Sequence, residues 1–225
     1  TSKGENEFRP RRGEELSRVD YSTWSHLMVQ IKHKKTGKVL LEVPGDMLAG
    51  QKFAGAHLPE ADFSKCDISR ADFRNADLRN ADFRGAVGEK PYFHSADISG
   101  AKFDEAKLDA PDFTDARVAE ASFENCTLPQ AIFRYAKVSK TSFADSDLTE
   151  ADMSSAEMHG DFDHATLTRA DFRGSNLSNV NFTAANLKGA DLAGANLSGA
   201  NLSRALTEGA TDPHGHKMTA KKKPK

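Results

Sequence analysis

The chain has 225 residues, enough for one domain or a domain with tails, and a formal net charge of −2, which gives no whole-chain reason to expect nucleic acid or a membrane surface as partner. It contains no apolar run of roughly eighteen residues, so it has no bilayer-spanning helix. Two cysteines in this length point to a reducing, cytoplasmic compartment, and no signal peptide is visible, although the chain begins at Thr1 and a removed segment stays open.

Residues 1–20 are charged and aperiodic and read as a disordered tail. Residues 21–50 read as a β-hairpin: Val29 and Ile31 alternate with polar residues, KKTGK supplies a turn, and Val39, Leu41 and Val43 alternate on the return arm. Its expected role is to cap the end of the domain that begins at Gln51, with Trp24 packed beside it.

From Gln51 to Arg204 the chain repeats every five residues, as in ADFRN, ADLRN and ADFRG from Ala71, or ANLKG, ADLAG and ANLSG from Ala185. The large central residues run Phe53, Leu58, Phe63, Ile68, Phe73, Leu78 and onwards, with Phe alternating with an aliphatic residue. A period of five fits neither common element. On a helix successive centres would drift by roughly 140°, and on a flat strand an odd spacing would send them to opposite faces. The pattern becomes consistent if the chain turns a corner every five residues, so that all centres point at one axis and neighbouring coils pair through their backbones. Such units cannot bury their apolar face alone and must stack. The rhythm breaks twice. Gly88, within GAVGEKPYF, stands where a centre is due, and after Met158 the next centre, Phe162, arrives one residue early. The second break reads as a residue deleted from one corner. Residues 206–225 end in KKKPK and read as a flexible basic tail of net charge +3.

These repeats resemble the pentapeptide-repeat family, whose consensus is Ala, then Asp or Asn, then Leu or Phe, then two polar positions. The resemblance covers residues 51–205. It implies an all-β fold, a right-handed quadrilateral β-helix with four units per coil and nearly eight coils. Phe then falls on faces one and three and the aliphatic residues on faces two and four, which keeps the core volume of each rung constant.

Nothing in the sequence supports catalysis: nucleophile motifs, phosphate-binding glycine loops and CxxC pairs are absent, and no cofactor is expected. His159, Asp161, Asp163 and His164 cluster at the second break, but their spacing matches no metal site. Cys66 and Cys126 lie three coils apart on face four, too far for a disulfide, and read as small core filler. Asp62, Asp72, Asp77 and Asp82 occupy the consensus position beside Ala and read as a solvated wall. Two outward features stand apart. Face one gathers Tyr92, His94, Ile132, Arg134 and Tyr135, residue types enriched at binding hot spots. Face three gathers Asp104, Glu105, Glu124, Asp145, Asp161 and Asp163 as an acidic stripe. The expected function is a non-catalytic protein-binding or scaffold module with an unidentified protein partner, and a homodimer through the neutral C-terminal coils. Direct nucleic-acid binding is not expected from one short basic run. The family implies an alternative, the DNA mimicry by which fluoroquinolone-resistance pentapeptide proteins bind DNA gyrase. Against it, a duplex carries one charge per ~1.7 Å, whereas residues 51–205 hold 24 acidic and 17 basic residues, a net charge of −7.

Overall fold

A five-residue unit can turn a corner only if its backbone amides find partners above, below and within the turn. The computed structural model, which describes residues 28–219, shows how each unit does so. In the unit 71–75, the Ala71 N–H closes a turn on the Ile68 carbonyl (3.0 Å), and the Asp72 N–H donates to Gln51 in the coil before (2.9 Å). The N–H groups of Phe73 and Asn75 donate to Tyr92 and His94 in the coil after, at 2.7 and 3.0 Å. The fifth donor, Arg74 N–H, is taken by Asp72 Oδ1 of its own unit at 3.1 Å. All five amides are satisfied with no helix and no long strand.

The corner residue, two after the centre, has a left-handed backbone, with φ of 57° at Asn75, 55° at Arg70 and 59° at Asn80, the exception along the column being Gly160. Only the second central residue of each turn is left-handed, as a type II turn requires. Parallel bridges then run from each coil to the next at a spacing of twenty residues, as in Lys52 to Asp72 to Tyr92 to Asp112. The result is a four-sided column.

The core is a single axis of buried centres. On face one Phe53, Phe73, Phe93, Phe113 and Phe133 stack at 4.7–4.9 Å. On face three Phe83 and Phe103 stack at 4.6 Å, as do Phe103 and Phe123. The two stacks meet edge to face across the axis, for example Phe103 against Phe113 at 5.7 Å and 88°. Each stacked or edge-to-face pair adds ~0.5–1.5 kcal/mol to the burial of its rings.

At the first break, β4 (Val87–Glu89) pairs in parallel with β5 (Lys107–Asp109), and Gly88 lies opposite Leu108. A Cβ on Gly88 would stand 2.8 Å from Ser69 N and 3.0 Å from the Ile68 carbonyl carbon. The backbone itself lies close against the neighbouring coil there, and no side chain fits. β6 (Arg117–Ala119) pairs with β7 (Lys137–Ser142), which pairs in turn with β8 (Glu157–Asp161). In that last pair the register breaks between Ser139 and Thr141. Lys140 turns its corner at φ 53°, while β8 runs straight past it, one residue shorter. Gly160 permits this, because a Cβ would lie 2.8 Å from the Thr141 carbonyl oxygen. Phe162 consequently returns to face three, stacked between Phe143 (4.7 Å) and Phe182 (5.4 Å).

At the N-terminal end, β1 (Met28–His33) and β2 (Val39–Pro44) form an antiparallel hairpin. β1 adds to the first coil at β3 (Ala61–Asp62), with Lys32 opposite Asp62 and His33 opposite Ala61. The tip is fastened by Lys34 N–H to the Glu60 carbonyl (2.9 Å), by Lys34 Nζ to the Asn80 carbonyl, and by Lys35 to Glu60 (3.0 Å). Burial holds the Lys34 ammonium below its ordinary pKa, with Glu60 pulling the other way. Trp24 and the 1–20 tail lie outside the described residues.

Two boundaries differ from the sequence expectation. The column starts one unit earlier than Gln51: Leu48 is buried, Gly50 takes the left-handed corner at φ 71°, and Gln51 N–H closes on the Leu48 carbonyl at 3.1 Å. The column also continues past 205, into the segment that reads as a tail from sequence. Leu206 and Thr211 bridge Asn186 and Asp191, and Lys217 folds back antiparallel on Thr211. The core signal fades here, because Thr207 replaces the aliphatic centre, but the backbone ladder persists. The KKKPK run falls outside the described residues.

Candidate functional site

The wall residue before each centre determines what the wall presents. Where it is Asp or Asn, its side chain accepts the amide two residues on, as Asp67 does from Ser69 (2.8 Å) and Asn181 from Thr183 (3.0 Å). Where an Arg occupies that second position, it is clasped as well. Arg79 donates to both oxygens of Asp77 at 2.8 Å, and Arg74 and Arg173 do the same to Asp72 and Asp171. These hydrogen bonds from Arg79 hold the Asp77 carboxyl down to about 2. The wall aspartates are therefore structural acceptors and not merely solvated charges. That role is legible in the D-x-R and D-x-S spacing, once each amide is required to have an acceptor.

Departures from this wall code are informative. On face one, Tyr92 and Ile132 occupy the wall position and lie on one ladder with Asp112 between them. Among the described residues no acceptor is placed for the amides of His94 and Arg134, two residues after them. Tyr92 is 40% exposed and Tyr135, at a corner, 58%, while His94 and Ile132 are half-buried. With no aspartate in its own unit, Arg134 reaches Asp152 in the next coil at 3.3 Å. The structure thus places Tyr92 and His94 on one coil and Ile132, Arg134 and Tyr135 two coils further along the same face. They form one surface but not one contact cluster.

On face three, the wall position carries Lys102, Ser122 and Ser142 on successive coils. Asp104 accepts from Ser122 Oγ and from the Glu124 amide (3.3 Å). Asp161 accepts from the Asp163 amide (3.1 Å) and from Asn181 Nδ2 (2.7 Å). Asp163 pairs with His164 at 3.0 Å and leaves its Oδ1 buried without a partner. Glu105, Glu124 and Asp145 are exposed. Among the described residues no arginine clasps this stripe. Among the described residues no group of three or more His, Cys, Asp or Glu is arranged to hold a metal.

Cys126 is buried. Its Sγ donates to the Phe103 carbonyl at 2.8 Å, and burial pushes its thiol up to about 12. Cys66 is half-buried in the first coil, and both cysteines are free.

The pentapeptide repeats family model matches residues 48–85, 74–109, 112–149, 133–160 and 165–204. The chain belongs to the pentapeptide repeat family. Its column is the right-handed quadrilateral β-helix of that family. Among solved structures, this pentapeptide repeat protein is similar to HetL, a pentapeptide repeat protein involved in heterocyst differentiation regulation in the cyanobacterium Nostoc sp. strain PCC 7120. The identity is 26%, over 76% of this chain and 89% of that chain, with a TM-score of 0.45. A pentapeptide repeat protein of the Arabidopsis thaliana thylakoid lumen is 32% identical over 49% of this chain and 66% of that one, with a TM-score of 0.32. QnrB1, a plasmid-mediated fluoroquinolone resistance protein, is 22% identical over 68% and 75%, with a TM-score of 0.40. No curated protein sequence matches the chain.

Proposed function

We propose that this pentapeptide repeat protein is a non-catalytic, cytoplasmic binding module that presents face one of a rigid column to a protein partner. The observation that carries this reading is the replacement of the Asp or Asn wall residue by Tyr92 and Ile132, which places aromatic and aliphatic surface where the fold has no need of it. Exposed Tyr135 and Arg134 complete a mixed aromatic and cationic surface of the type that anchors interfaces. Alanine at Tyr92, Ile132, Arg134 and Tyr135 together should leave the melting transition in place. The same change should remove the partner from affinity purification read by mass spectrometry, and an unchanged partner profile would end this reading.

Self-association through the C-terminal end has separate support. The segment 209–218 covers the last coil over faces four and one, through Gly209 N–H to Met218 and Leu192 N–H to Thr211, each at 3.0 Å. Over faces two and three, the amides of Leu197, Gly199, Leu202 and Arg204 have no acceptor among the described residues, beside half-buried Leu197 and Leu202. An uncovered edge of this kind is a template for pairing with a second copy. Sedimentation at rising concentration tests it, and a monomer throughout would exclude it. DNA mimicry is weakened by the clasped pairs, since Asp72, Asp77, Asp82 and Asp171 each meet an arginine of the same wall. A gyrase supercoiling assay showing inhibition or protection would restore it.

A further inference from the structure

The first coils of face one hold a groove, and its chemistry is one-sided. It is lined by Gly50, Lys52, Arg70, Asp72, Arg74 and Tyr92. The groove exists because the corner column begins with a glycine. A Cβ on Gly50 would meet nothing within 4 Å, whereas the next two corners of that column carry the long side chains of Arg70 and Lys90, both exposed.

The groups that line it are almost all donors or cations. Lys52 has no carboxylate within 4.0 Å among the described residues, nor does Lys90, at the next corner beyond the lining, and Arg70 meets Glu89 only at 3.9 Å. Arg74 uses its Nε and one Nη on Asp72 and keeps the outward edge of its guanidinium, its side chain being 55% exposed. The Tyr92 hydroxyl makes no hydrogen bond among the described residues, although the ring is half out of the wall. The lining holds one carboxylate, Asp72, already clasped, against three cations, and Glu89 stands beside Arg70. The site offers hydrogen-bond donors and positive charge, with one aromatic surface, to a ligand bearing anionic oxygens.

The geometry points to an acidic, extended peptide segment of the protein partner as the occupant of this groove, with its carboxylates on Lys52, Arg70 and Lys90 and its chain continuing along face one towards Ile132 and Tyr135. This rests on the reading of face one as the binding surface and adds the partner's chemistry to it. The charge pattern along the face selects a peptide over a nucleic acid. The ladder beyond Tyr92 carries Asp112, and Asp115 stands exposed at the adjoining corner. A phosphate backbone, charged at every step, would meet that carboxylate pair on leaving the groove. A peptide can place its acids in the first three coils and an apolar residue two coils on.

The test is direct binding measured by fluorescence anisotropy on the full chain. The probe is a labelled peptide of six glutamates followed by four glycines and a leucine, with a labelled oligo-dT of equal charge and the matching hexalysine peptide in parallel. The expected result is saturable binding of the glutamate peptide at low salt, weakened at least tenfold by Lys52→Glu with Arg70→Glu and severalfold by Tyr92→Ala, with little binding of the other two probes. Circular dichroism of each variant checks folding, and Lys65→Glu, a corner charge of the same first coil on another face, serves as the control that should bind normally. Equal binding by the doubly reversed protein, absence of saturable peptide binding, or tighter binding of oligo-dT would each overturn the inference. If instead Ile132→Asp abolishes capture of the cellular partner while the doubly reversed protein still captures it, face one stands and the acidic-segment inference falls.

Discussion

The coils from Phe53 to Met158 and those from Phe162 to Thr211 share one backbone and differ in nearly everything attached to it. The first set is filled by two interlocked phenylalanine stacks, and much of its wall is clasped carboxylate and arginine. In the second set the aromatic core ends at Phe182, and Leu187, Leu192, Leu197 and Leu202 come after it. Asparagine takes over the wall, with Asn196 donating to Asn176 at 3.2 Å and Asn201 to Asn181 at 3.3 Å. The difference separates two codes in one repeat. The centre and the small residue before it maintain the column. The wall position is used for amide capping where it is Asp or Asn, as in most of the C-terminal coils, and is free to vary elsewhere, as at Tyr92 and Ile132.

The comparison can be broken most directly in the core. Phe103→Ala removes a ring in contact with stacked neighbours above and below and edge-on neighbours across the axis, and should cost ~3–5 kcal/mol. Leu192→Ala, in the aliphatic half near the open end, should fall near the lower limit of ~2 kcal/mol for such truncations. Urea midpoints shifted equally by the two would show that the aromatic stacks add nothing beyond volume.

Next in size is the phase slip. Gly160→Ala drives a Cβ into the Thr141 carbonyl and should cost ~1–3 kcal/mol by overpacking. Gly194→Ala, at φ 71° with its nearest contact at 3.8 Å, should cost only the ~1–2 kcal/mol of the left-handed backbone, with no overpacking added. Thermal melts that rank the two the other way would mean that the straight run of β8 has room to spare.

The wall code is tested by pH. The folded pKa of Asp77 lies at about 2, below the ~3.9 of an unfolded aspartate. Its contribution is therefore complete above the unfolded value and lost as pH falls from about 4 through 2. Asp77→Ala should lower stability at neutral pH by about 1 kcal/mol, a figure kept small because the pair is solvent-screened, and should flatten the acid limb of stability. An unaltered limb would assign the acid sensitivity to other carboxylates. The smallest effect is expected at Arg134. Its exposed pair with Asp152 should be worth under ~1 kcal/mol in stability, while Arg134→Ala should still weaken partner capture.

The column is legible in the sequence because its period is so strict. The alternation of Phe with aliphatic centres places the stacks on opposite faces, and the early arrival of Phe162 marks the missing corner residue. Gly88 and Gly160 are visible only as irregularities, since their role is a backbone approach that no side-chain pattern reports. The ends lie one unit or more beyond the sequence boundaries because Leu48 lacks the flanking consensus and Thr207 lacks a large side chain, while the backbone ladder needs neither. Of the candidate surface, Tyr92, His94, Ile132, Arg134 and Tyr135 can be assigned to one face from the register. The groove beside Gly50 cannot, because it depends on an empty first corner and on which cations are already clasped.

Because the backbone ladder of each unit reaches only the coils directly above and below, length along the column is quantised. The groove near Lys52 and the edge near Leu202 are held apart by whole multiples of about 4.8 Å. A change of twenty residues would move one relative to the other by a single notch. The molecule is in this sense a graduated spacer, and the lost residue between Met158 and Phe162 is absorbed within one corner, leaving the graduations on both sides aligned.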